Sequence, residues 1–139
     1  MKKVIIDSEI IYKAFFEDDG YSRKLFMSAE NGLLGLFLTS YSLLKFVEQH
    51  LKVNDLSLEF ISTLVSINNL NIIKIDPEVL KEAYDRYIKY NGSNNLEYHI
   101  NATLLLNNEE FNFYLTYKPP ERSFENIIIS PKKFIISHF

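Results

Sequence analysis

Asp7, Glu97, Lys45 and Lys118 are the residues on which chemistry at a single site could rest. Asp7 directly follows Lys3 to Ile6, a short β-branched run that reads as a buried strand, so its carboxylate stands at a strand's carboxyl end. Thr116, Tyr117 and Lys118 close or follow a second run, Asn112 to Thr116, in the same way. Thr39 and Ser40 close a third, with Lys45 and Glu48 one to two turns into the helix behind them. Glu97 opens a later helix. In an open parallel sheet, ligands bind at the carboxyl ends of the strands, near the reversal of strand order. These side chains therefore converge if the strands are parallel. Each also has a plainer reading. Asp7 can cap the helix that follows it, Glu97 can be an exposed helical residue, and the two lysines can be solvated.

Other chemistries are excluded or unsupported. The chain has no cysteine, which removes disulfides, thiolate zinc sites, iron–sulfur clusters and thiol catalysis. Its three histidines include no i, i+4 pair, so there is no zinc-type spacing. His50 and His138 read as surface residues, and His99 as a buried or half-buried partner near Glu97. There is no Gly-x-Ser-x-Gly and no Gly-x-Gly-x-x-Gly or phosphate-loop sequence among the four glycines, so serine catalysis and a nucleotide cofactor find no support. Tyr84, Tyr87, Tyr90 and Tyr98 read as core and groove wall in preference to a base-stacking platform.

The elements that must position these groups follow from hydrophobic period and punctuation. At 139 residues, 47% apolar and 24% charged, the chain has room for one ordinary domain, taken as 1–139. Eleven Phe and nine Tyr supply much of its core. Strands are expected at Lys3–Ile6, Leu33–Thr39, Asn71–Ile75, Asn112–Thr116 and Asn126–Ile129. Helices are expected from Ser8, over Tyr21–Asn31, after a Ser40 cap, from Asn54 or Asp55, from Asp76-Pro77 to Asn91-Gly92, and over Leu96–Leu106. Val79, Leu80, Ala83, Tyr84, Tyr87 and Ile88 form one stripe on the fifth helix, expected to face a core. Strands separated by helices require crossovers, and so a mostly parallel sheet covered on both faces: an α/β fold, in three α/β/α layers. No run is long and apolar enough to span a membrane, and Asp7 and Glu9 break any leader-like h-region. A cytoplasmic protein is the default expectation.

Four segments carry a family resemblance. VIIDSEII, LTSYSLLKFVEQHL, LEYHINATLLL and FYLTYKPPERSF together resemble the PIN domain, the nuclease fold of VapC-type toxins, over nearly the whole chain. The resemblance implies a sheet of about five strands in the order 3-2-1-4-5. It places Asp7 at the family's first aspartate with Ser8 beside it, and Glu97 where an aspartate is usual. It also implies Mg²⁺- or Mn²⁺-dependent ribonuclease chemistry, often in toxin–antitoxin pairs and often in homodimers.

Two departures bear on that chemistry. The alignment puts Lys45 where active members carry a second acid, with Glu48 one turn later as a spare; Glu121 is a weaker spare, since Pro119-Pro120 fixes the chain direction there. Tyr117 and Lys118 replace the last polar pair. The cluster then holds two carboxylates against two ammonium groups. An ammonium ~4 Å from another cation costs about 4 kcal/mol at an effective dielectric near 20, and about twice that against a dication. The lower-energy state pairs Asp7 and Glu97 with Lys45 and Lys118. The expectation is a PIN-like domain with a degenerate acidic site lined by Ser8, Lys45, Thr116 and Lys118, needing no cofactor and binding RNA or a protein partner. The alternative is a divergent Mg²⁺- or Mn²⁺-dependent ribonuclease using Asp7, Glu97 and Glu48, with Asp7 and Glu97 as ligands. The overall charge is −3, yet Tyr117–Phe139 carries four basic residues against two acids, a local bias suited to touching phosphate. Apolar material for a homodimer is expected from Leu33 to Leu38 and the Phe-rich surfaces.

Overall fold

The computed structural model describes residues 1–139. Five strands, β1 (Lys2–Ile6), β2 (Leu34–Thr39), β3 (Leu70–Ile73), β4 (Phe113–Leu115) and β5 (Ile128–Ile129), form one sheet. Its order is β3-β2-β1-β4-β5 and every neighbouring pair is parallel. This is the α/β/α sandwich that the alternation of runs requires. Between the strands come α1 (Ser8–Phe15), α2 (Gly20–Glu30), α3 (Ser40–His50), α4 (Asp55–Val65), α5 (Pro77–Lys89) and α6 (Leu96–Asn107), and α7 (Pro131–His138) ends the chain. No helix is long and apolar enough to cross a membrane.

β1 is the centre of the sheet, and Val4, Ile5 and Ile6 have no exposed surface. Alternation along it splits the core. Val4 and Ile6 join Ile10, Leu25, Leu36, Phe46 and Phe134 on one face, while Ile5 joins Ala83, Ile100, Leu104 and Tyr114 on the other. Each fully buried Ile or Leu contributes roughly 1.5–3 kcal/mol. A polar residue inside β1 would be correspondingly costly, and the first acid comes directly after it.

Register carries the strand ends to one place. Ile6 lies beside Leu38 on one side and Leu115 on the other. Asp7, Thr39 and Thr116 therefore leave the sheet side by side. The chain reverses its direction of strand addition here, from β1–β2–β3 to β4 on the far side of β1.

The seven α-helices share one starting device, a side-chain oxygen of Asp7, Asp19, Thr39, Asn54, Asp76, Asn95 or Ser130 accepting a backbone N–H from the first turn. Several expectations change in detail. Thr39 caps α3, and Ser40 is its first residue, because the Thr39 hydroxyl reaches the Ser42 N–H at 3.0 Å. Gly20 opens α2, since Asp19 before it holds the Ser22 N–H at 3.1 Å. Gly92, at φ +74°, closes the turn after α5 by donating to the Tyr87 carbonyl at 2.9 Å. α7 was not expected; Ser130 and Pro131 start it, and it buries Phe134 and Ile135 against α2 and the core. The α5 stripe is only partly covered: Ala83 is buried, while Leu80, Tyr84 and Ile88 are exposed. Leu34, Leu36 and Leu38 are buried within β2, which removes the run expected to serve a homodimer.

Candidate functional site

The site grows from the turn between β1 and α1. Asp7 is fully buried there. Its Oδ1 takes the Ile10 N–H at 3.4 Å as the α1 cap, and its Oδ2 accepts the Thr116 hydroxyl at 2.6 Å and the Tyr114 hydroxyl at 3.1 Å. Both donors come from the neighbouring strand, β4 or its end, so the parallel β1–β4 register sets the contact. Capping and site membership, alternatives in the sequence, are both realised by one carboxylate.

Glu97, in the first turn of α6, is 1% exposed. Its Oε2 accepts the Ser8 backbone N–H at 2.8 Å, and its Oε1 accepts the Ser8 hydroxyl at 3.0 Å and the Lys45 ammonium at 3.3 Å. Ser8 thus spends both donors on Glu97 at the start of α1. The exposed-helix reading of Glu97 does not hold.

Electrostatics follow from the burial. Asp7 is pushed from 3.8 up to about 6 by burial and by the charge of Glu97, against the hydrogen bond of Thr116, the charge of Lys118 and the hydrogen bond of Tyr114. Tyr114 is raised well above its ordinary value by burial and then by the charges of Asp7 and Glu97, which keeps it a neutral donor.

The two lysines part company. Lys45 reaches over the pair from α3 and binds Glu97. The Lys118 ammonium lies 3.6 Å from Oε2 of Glu9, and its backbone N–H donates to the Thr116 hydroxyl at 3.1 Å. Its expected ion pair with the buried acids is thus made with a third carboxylate, in the first turn of α1. Ser8, Glu9, Tyr12, Lys45, Gln49, His50 and Lys118 line a polar pocket of about 320 Å³ above the buried acids. His50 lies stacked on Tyr12 at 4.3 Å between ring centroids. Glu48 is exposed and faces a different groove, with Leu51, Lys52 and Leu58 between α3 and α4. Glu121 pairs with Arg86 in the loop after β4. Neither spare acid joins Asp7 and Glu97. His99 is buried, with Nε2 2.8 Å from the Ser93 carbonyl and its ring against Tyr87 and Tyr90.

The donor set can be tested against a divalent ion. Mg²⁺ and Mn²⁺ need oxygen ligands with lone pairs to spare and negative charge to offset dehydration. Each oxygen of Asp7 and Glu97 already accepts from an internal donor, and Lys45 adds a cation at the same oxygen that would have to coordinate. No three His, Cys, Asp or Glu side chains converge anywhere in the chain. The residues present do not fit such an ion.

Three participants escaped the sequence. Glu9 is signalled only by its place two residues after Asp7. Tyr114 lies within β4, where alternation shows that it faces α6 but not that its hydroxyl reaches Asp7. Asn101 stands one turn after Glu97 on α6; it is fully buried, and neither its amide nitrogen nor its oxygen has a partner. The largest groove, about 690 Å³ along Phe15, Phe26, Met27 and Ile67, is a separate feature.

No protein-family model matches the chain, and no curated protein matches it either.

Proposed function

We propose that this chain is a PIN-like domain whose acidic site is closed by Lys45, and that it binds RNA without cleaving it. The observation that carries the reading is the Lys45 ammonium at 3.3 Å from buried Glu97, where a metal-dependent nuclease would need a free carboxylate. Strand order and the position of Asp7 at the order reversal support the PIN-like part. The polar pocket supports the RNA part, because Lys45, Lys118, Gln49, His50 and Ser8 offer donors at the edge where parallel sheets bind ligands. No cofactor enters this reading.

The test uses fluorescently labelled single-stranded and hairpin RNAs with the full chain, in EDTA and then in Mg²⁺ or Mn²⁺. Anisotropy is expected to report salt-dependent binding in EDTA, and gels are expected to show intact RNA at high protein load. Lys118→Ala is expected to weaken binding and to flatten the salt slope by about 1. Absence of binding to either RNA defeats the proposal. Cleavage that vanishes in Asp7→Ala and Glu97→Gln replaces it with the divergent-ribonuclease reading.

A further inference from the structure

α5 carries more apolar surface than the fold covers. Ala83 is buried, and Val79 and Tyr87 are half-buried on the α6 side. Leu80, Tyr84 and Ile88 are 47%, 51% and 58% exposed. At i, i+4 and i+8 they make one stripe, turning about 40° per step around the helix. Along the edge of that stripe away from the buried face stand Lys81 and Asp85. Both are exposed, and neither is in any ion pair of the chain.

We propose that the Leu80–Tyr84–Ile88 face of α5 docks a second copy of this chain, the two α5 helices lying antiparallel about a two-fold axis at Tyr84.

Charge and shape select that occupant and that direction. A two-fold interface must be its own complement. With the axis at Tyr84, Leu80 of one copy stands level with Ile88 of the other, and Tyr84 meets its own equivalent. Lys81 and Asp85 lie on the same edge of the stripe, and the axis keeps that edge on one side for both copies. Lys81 of each copy then comes beside Asp85 of the other, twice by symmetry. A parallel pairing would set the Lys81–Asp85 edge against the Tyr87 edge and leave all four charges without partners. One helix pair buries less than a standard interface of roughly 1,600 Å², so the dimer is reversible and concentration-dependent. The proposal is independent of the RNA-binding reading, since it uses none of the residues around Asp7 and Glu97.

Sedimentation equilibrium of the full chain tests it. The apparent mass is expected to climb from 16.3 kDa toward twice that value as concentration rises. Lys81→Asp and Asp85→Lys are each expected to weaken self-association roughly tenfold, because each puts like charges together at both symmetric contacts. Mixing the two variants is expected to restore association, since every contact in the mixed dimer again joins opposite charges. Tyr84→Arg is expected to leave a monomer; Leu80→Lys serves the same purpose if circular dichroism shows that Tyr84→Arg does not fold. A wild-type chain that stays monomeric at every concentration overturns the proposal and leaves the face to a different protein. A dimer indifferent to these variants, or variants that weaken association and do not recover on mixing, overturns it as well.

Discussion

The Lys45 ammonium sits 3.3 Å from Oε1 of Glu97 and ties α3 to α6 across the end of β1. The two partners are unequal. Glu97 is 1% exposed and Lys45 21%, so the acid is committed to the interior while the amine retains a path to water. Removing the amine strands a charge, whereas removing the acid's charge releases an amine that can turn outward.

That inequality orders two substitutions. Lys45→Met is expected to cost about 1–3 kcal/mol, because the Glu97 carboxylate keeps only the Ser8 donors in a buried setting. Glu97→Gln keeps an acceptor for Ser8 and removes a negative charge from beside Asp7, so a loss of about 1 kcal/mol or less is expected. Urea unfolding of both variants at neutral pH measures the order. A larger loss for Glu97→Gln would mean that the pair is not what holds α3 over the site.

Charge reversal at the same position probes the metal argument. Lys45→Glu replaces the cancelling cation by a third carboxylate beside Glu97 and Asp7. Calorimetric titration is expected to show Mn²⁺ binding to this variant at least tenfold tighter than to the wild-type chain, with a rise in melting temperature on adding Mn²⁺. Equal affinities would show that Lys45 is not what keeps the ion out.

The fold was legible because β1, β2 and β3 are isoleucine- and leucine-dense runs with covered faces, and because pairs such as Asp76-Pro77 announce helix starts. α7 escaped because its apolar residues, Phe134, Ile135 and Ile136, are consecutive and show no helical period over only eight positions. The α5 stripe misled for a different reason. Periodicity reports that a face is apolar, not that anything covers it, and Leu80, Tyr84 and Ile88 lie beyond the edge of what α6 and the sheet cover. At the site, spacing placed Asp7 and Glu97 at one end of the sheet. The length of a lysine side chain let Lys118 reach Glu9, a pairing that no one-dimensional spacing encodes.

Asp7 makes stability depend on pH in an unusual sense for a carboxylate. Its pKa is raised in the folded chain, from 3.8 to about 6, by burial and by Glu97. Between those values the folded state binds the proton more tightly than the unfolded chain does, so Asp7 favours folding at low pH. That advantage is lost as pH rises through about 6, where the buried charge costs about 2–3 kcal/mol. Asp7→Asn keeps a good helix cap and an acceptor for Thr116. Its stability is expected to match the wild-type near pH 4 and to exceed it by about 2 kcal/mol near pH 7.5. Parallel curves across that range would show that Asp7 is not strained by its setting.

Tyr117 offers the opposite sign in the same structure. Its hydroxyl lies 2.6 Å from the Ser22 hydroxyl and also bonds Asp19, the α2 cap, joining the loop after β4 to α2. Burial tends to raise Asp19, but the hydrogen bonds from Tyr117 and from the Ser22 backbone and side chain outweigh it, and its pKa is lowered. A lowered carboxylate stabilises the fold above the unfolded pKa, near 3.8, and loses that contribution as pH falls through the folded value. Tyr117→Phe removes the bond that helps hold Asp19 ionised. The loss is expected to be about 1 kcal/mol at neutral pH and to shrink in acid, where Asp19 is protonated in both states. Thermal melts of variant and wild-type at matched pH, from neutral down to about pH 3, follow this directly. A gap that stays constant or widens in acid would mean that Tyr117 acts through packing alone, with its hydroxyl indifferent to the charge of Asp19.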